Sequence, residues 1–266
     1  MLSIPNEVQN CVAFIGYHTS AGDLKLVGSC FFIEYHLEEE IFQYLVSAGH
    51  LLDEIRGNGI TEVQIRINLK SGTAASAAIP MNTWLRPPNI DIAITPIQLA
   101  EDHDHSAIIP TLWTADTTET SKKPNIGNEL FIPGLFWPHH GRTKNIPIMR
   151  VGNIAALPGE QLRVRKTVLV GYLIECRSIG GVIGSPVFRN TSGFDGVNLV
   201  LSTPGFQFLG IVQDHFDLED DLEQTSGSER GNINLGLGVV IPSEQIINSI
   251  KLVSELIKTN RDRPLP

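Results

Sequence analysis

The sequence predicts an all-β protein, a barrel or sandwich, that ends in one amphipathic helix. Three observations carry this. Short apolar runs separated by turn residues fill about the first hundred positions. The segment 62–69 alternates polar and apolar residues without a break, as a half-buried strand does. Near the end, Ile246, Ile247, Ile250, Val253, Leu256 and Ile257 recur at helical spacing behind Ser243, a suitable N-cap, with Glu244 and Gln245 in the first turn.

Taken in order, 12–17, 24–27 and 28–33 read as strands, and 44–50 as a strand ending in small residues and His50. The run 89–94 places Asp91 among apolar residues. A buried carboxylate is costly unless paired, so Asp91 needs a partner, and His50 is the candidate. Carboxylates and imidazoles alternate in Glu101-Asp102-His103-Asp104-His105, but this follows the Asp91 strand as a solvated loop, and no metal site is expected there. The polar stretch 114–124, closed by Pro124, is the best linker. It divides the chain into 1–113 and 125–242, with 243–266 as terminal helix and tail.

Beyond the linker, 127–134 opens a second set of strands. His139 and His140 fall in a surface loop. The stretch 162–174 is strand-like and leads into a glycine-rich turn, 177–188, and 206–215 and 235–242 are further strands. The acidic run 214–223 with the polar residues after it reads as a solvated loop, a candidate selector for basic peptides.

The chain has 266 residues, 42% hydrophobic and 18% charged, and can bury a sizeable core. Its net charge of −9 argues against nucleic acid or an anionic membrane surface as partner, since both demand a basic footprint. Cys11, Cys30 and Cys176 are widely spaced and odd in number, which predicts free thiols and a reducing compartment. The first residues lack the pattern of a secretory signal, and no segment reaches transmembrane length, so a cytoplasmic protein is expected.

The turn Gly181-Val182-Ile183-Gly184-Ser185-Pro186-Val187 resembles the nucleophile turn of the trypsin/chymotrypsin-like serine proteases, Gly-x-Ser-Gly-Gly/Ser-Pro-Val. Ser47-Ala48-Gly49-His50 resembles the motif that holds the general base of that family, and Asp91-Ile92-Ala93-Ile94 the motif of its aspartate. Segments 28–33 and 206–215 are also similar to family strands, and 142–158 to a family hairpin. The order His50, Asp91, Ile183 is that of the chymotrypsin type and not of subtilisin or the α/β-hydrolases.

This resemblance implies two antiparallel six-stranded β-barrels with a cleft between them and a C-terminal α-helix. It implies His50 as general base, Asp91 as its orienting partner, and the N–H groups of Gly181 and Ile183 as oxyanion hole. Gln213, Asp214 and His215 would lie on the strand that flanks the substrate, with neither cofactor nor metal. Ile183 departs from the pattern: it stands where the family has its serine and has no oxygen with which to attack. Three functions stay open. The first is an inactive pseudoprotease that binds an extended peptide or protein segment. The second is a serine endopeptidase working through another nucleophile, with Ser185, Ser178 and Cys176 as candidates. The third is a structural interaction domain with an occluded cleft. The oligomeric state is left open by the sequence.

Overall fold

Strands buried on both faces need apolar residues at consecutive positions, and the centre of the first sheet is written that way. The computed structural model describes residues 4–110, 123–164, 167–176, 181–191, 193–194, 199–200, 205–218 and 233–262. A short helix α1 (Asn6–Asn10) precedes β1 (Val12–His18), β2 (Leu24–Leu37) and β3 (Glu40–Ala48). Helix α2 (Gly49–Gly57), β4 (Glu62–Asn68), β5 (Ala74–Pro80) and β6 (Ile92–Pro96) follow. The six strands pair antiparallel in the order β5-β4-β1-β2-β3-β6. Past β5, Leu85 exchanges two backbone hydrogen bonds with Ile94 of β6, at 2.7 and 3.0 Å, which draws the two ends of the sheet together.

Successive residues of β1 serve different cores: Ala13, Ile15 and Tyr17 face the inside of this sheet, while Val12 and Phe14 face the other way. β4 buries only Val63, Ile65 and Ile67, which is why it alternates cleanly.

The second unit holds β7 (Glu129–Gly134), β8 (Ile148–Ala156), β9 (Leu162–Val164), β10 (Thr167–Leu169) and β11 (Tyr172–Cys176). It continues through β12 (Pro186–Asn190), β13 (Gly193–Phe194), β14 (Leu199–Val200), β15 (Phe206–Leu218) and β16 (Ile233–Pro242) to α3 (Ser243–Asp262). A closed barrel runs β11-β16-β15-β12-β7-β8. The stretch 162–174 is therefore not one strand: β9 and β10 fold back on each other as a hairpin before β11 joins the barrel. The acidic run also differs from its reading as a loop, because its first residues continue β15 to Leu218. The rest of that run, and the linker from 114 to 122, lie outside the described residues.

A third core lies where the two units meet. Phe31 and Phe208 touch edge to face with centroids 5.5 Å apart, and Ile246, Ile250 and Val253 of α3 complete the cluster. Tyr44 Oη and Ser254 Oγ, 2.7 Å apart, tie the helix to β3. Ile257 is half-buried against the same cluster, but Leu256 is 63% exposed, contrary to expectation. At 100° per residue it falls about a quarter turn off the buried stripe. Two six-stranded antiparallel β-structures with a C-terminal helix are the architecture that the resemblance implied.

Candidate functional site

β3 ends at Ala48, and the chain turns directly into α2, so His50 sits in the first turn of a helix and not at a strand end. The helix forms because Leu51, Leu52 and Ile55 bury one face in the first core. Gly49 is required there: a side chain at that position would overlap the Arg86 guanidinium and the Asp91 carboxylate. Asp91 precedes β6 and follows Asn89, whose left-handed backbone (φ 63°) is one that asparagine tolerates. The Gly49 N–H donates to the Asp91 carbonyl at 3.1 Å, which sets the two segments side by side. His50 Nδ1 then donates to Asp91 Oδ2 at 3.0 Å, the pairing that the sequence suggested.

Two further partners were not anticipated. Arg86 Nη2 donates to Asp91 Oδ1 at 2.9 Å, while its Nη1 donates to Asp53 Oδ1 at 2.8 Å and to the Gly49 carbonyl at 2.7 Å. The only sequence signal was an arginine five positions before a buried carboxylate. From the second barrel, Gln213 Nε2 donates to Asp91 Oδ2 and stands 3.1 Å from His50 Nδ1. Gln213 reaches the pair because β15 is bulged there: Val212 faces Val240 and Asp214 faces Val239, leaving Gln213 as the extra residue. Burial alone favours the neutral acid of Asp91. The hydrogen bond and charge of His50, the charge of Arg86 and the Gln213 amide outweigh burial and hold the carboxyl below its usual range.

The glycine turn is fixed from both barrels. Gly181 and Gly184 have φ of 91° and 82°, conformations that side chains resist. The Ile183 carbonyl accepts the Ser29 N–H at 3.0 Å, and Ser29 Oγ donates to the Gly181 carbonyl at 3.0 Å while accepting the Leu135 N–H at 2.9 Å. Gly184 N–H donates to the Val212 carbonyl, and Val212 N–H to the Ser185 carbonyl, both at 2.9 Å. Among the described residues, the N–H groups of Gly181, Val182 and Ile183 have no hydrogen-bond partner. The Ile183 side chain is half-buried and packs on the core cluster that contains Leu51.

Other residues singled out in the sequence lie apart from this pair. Ser185 is fully buried against Gly134, with its Oγ unpartnered. Cys176 is buried in the core of the second barrel, and burial raises its pKa. Ser178 lies outside the described residues. The His50 Nε2 atom is buried and has no hydrogen-bond partner among the described residues. Asp214 does not face outward: its carboxylate, 6% exposed, accepts the His215 N–H at 2.9 Å and lies 3.6 Å from His215 Nδ1. His139 is exposed, and His140 Nδ1 donates to the Trp137 carbonyl at 2.9 Å. His105 stacks edge-on against Phe32. A cavity of about 400 Å³ is lined by His50, Arg86 and Asp91 together with Ile90, Leu169 and Gln245.

The double barrel and the His50–Asp91 pair together define a chymotrypsin-like fold. Among solved structures the chain is similar to the MamO protease domain from Magnetospirillum magneticum, with 13% identity and a TM-score of 0.54 over 91% of this chain and 97% of that one. It is likewise similar to Deg5, with 14% identity and a TM-score of 0.53 over 91% of this chain and 88% of that one. No protein-family model and no curated protein matches the sequence.

Proposed function

We propose that this chain is a catalytically silent counterpart of the trypsin-like peptidases that binds an extended peptide in the cleft between its barrels. One observation carries the reading: the N–H groups of the glycine turn, which have no hydrogen-bond partner among the described residues, lie next to β15, with Ile183 where a nucleophile would be. β12 pairs with β15 only as far as Ile211, and Val212 is taken by the turn. Beyond Ile211, β16 continues alongside β15 as far as Leu218. Strand addition along a sheet edge is the mode by which an extended peptide would bind there. The likeness to a protease domain supports the same class of ligand.

In this reading Gly181 and Ile183 form an oxyanion-type nest that holds a peptide carbonyl, and the branched Ile183 side chain keeps water and hydroxyl groups away from it. Gln213 and Asp214 contribute main chain to the cleft, because their side chains are turned inward. Fluorescence anisotropy against a library of extended peptides tests the proposal. Saturable binding that is lost when the peptide backbone is N-methylated supports it. The absence of binding to every member, with the far-ultraviolet spectrum of a folded β-protein, sinks it.

A further inference from the structure

The Asp91 carboxylate serves more donors than His50 alone. Its Oδ1 accepts Arg86 Nη2 at 2.9 Å, and its Oδ2 accepts both His50 Nδ1 at 3.0 Å and the Gln213 amide. Gln213 Oε1 is buried without a partner among the described residues. Reversing the amide would set that oxygen against Asp91 Oδ2, acceptor against acceptor, so the nitrogen faces inward. An aspartate strengthens a neighbouring imidazole as a base through the negative charge and the lone pairs that it offers. Here a guanidinium balances the charge, and an amide shares the oxygen that His50 uses.

We propose that Gln213 and Arg86 are positioning residues that hold Asp91 in a closed cluster and compete with His50 for its charge and lone pairs, so a hydroxyl restored at position 183 would meet a weakened base. The proposal rests on the reading of Ile183 as the degenerate nucleophile and adds a second lock to it. The bonds of Arg86 to Asp53 and to the Gly49 carbonyl tie it to the helix that carries His50. The bulge in β15 keeps Gln213 aimed at the pair. The charged groups around His50 are Asp91 before β6, Arg86 from the segment ahead of it, and Asp53 on α2. From β15 the neighbour is the neutral Gln213, followed by Asp214, which is engaged with His215.

Two measurements test the proposal on the full chain. The first is a nuclear magnetic resonance titration of the His50 ring, assigned by its loss in His50→Ala, for wild type, Gln213→Leu and Arg86→Gln. Each substitution removes a competitor of His50 for Asp91 and is expected to move the midpoint up by about one pH unit. A midpoint unmoved in both variants overturns the proposal, whatever happens at position 183. The second is labelling by a fluorophosphonate probe. Ile183→Ser is expected to react slowly, and Ile183→Ser combined with Gln213→Leu at least about ten times faster. Equal rates in the two proteins overturn the proposal. Raised midpoints with no labelling in either protein support the closed cluster and instead sink the reading of position 183 as the nucleophile's place.

Discussion

Ser29 Oγ donates to the Gly181 carbonyl at 3.0 Å across the barrel interface, and the same oxygen accepts the Leu135 N–H. One hydroxyl thus joins β2 to the glycine turn and to the segment after β7. Its own carbonyl is held in turn by Ser47 Oγ at 2.9 Å. Ser29→Ala leaves a buried carbonyl and a buried N–H without their partner. The expected cost is about 1–3 kcal/mol, the usual penalty for orphaned buried polar groups, measured by urea denaturation. Peptide affinity should fall with it, because Gly181 is no longer held. A variant as stable as wild type would mean that water replaces the hydroxyl.

The acid side of the stability profile should report Asp91. Its folded-state pKa lies below the unfolded value, so its contribution is fully present above about pH 4 and is lost as the pH falls through the folded pKa. Urea midpoints between pH 6 and pH 2 should therefore decline in wild type, and more steeply than in Asp91→Asn, which has no proton to take up. Parallel profiles for the two proteins would show that Asp91 gains nothing from His50, Arg86 and Gln213.

Much of the fold was legible because strand burial leaves a direct trace. The alternation of 62–69 became β4, and the apolar run at 28–33 became part of β2, buried on both faces. The pairing of His50 with Asp91 was legible for a related reason: a carboxylate inside an apolar run demands a donor. Features set by register left no such trace. Nothing in Val212-Gln213-Asp214 announces a bulge, so Gln213 read as one more residue flanking the cleft. Helix α2 was hidden because its Leu51, Leu52 and Ile55 follow a strand without a break or a capping side chain. Asp214 opened a stretch read as acidic loop, yet strand pairing and His215 draw it inward.

The thiols give a third expectation. Cys11, Cys30 and Cys176 are unpaired and buried, and burial pushes all three upward, away from the reactive thiolate. Native protein at pH 8 should resist alkylation, and protein denatured without reductant should take up three labels by mass. A single label after denaturation would reveal a disulfide in place of two of these thiols.

Ile183 should set stability and affinity against each other. Its side chain is half-buried against the core cluster that contains Leu51, while its backbone N–H and that of Gly181 have no partner among the described residues. Ile183→Ala removes apolar contact with that cluster and should cost about 1–3 kcal/mol, the lower part of the large-to-small range, because the site is not fully enclosed. The same truncation clears the approach to those N–H groups, so an extended peptide should bind several-fold more tightly to the less stable protein. Thermal denaturation and anisotropy on the same preparations separate the two effects. If affinity falls along with stability, the side chain supports the turn and does not screen it. If stability falls and affinity is unchanged, Ile183 faces the first barrel alone, and the ligand carbonyl lies elsewhere along β15.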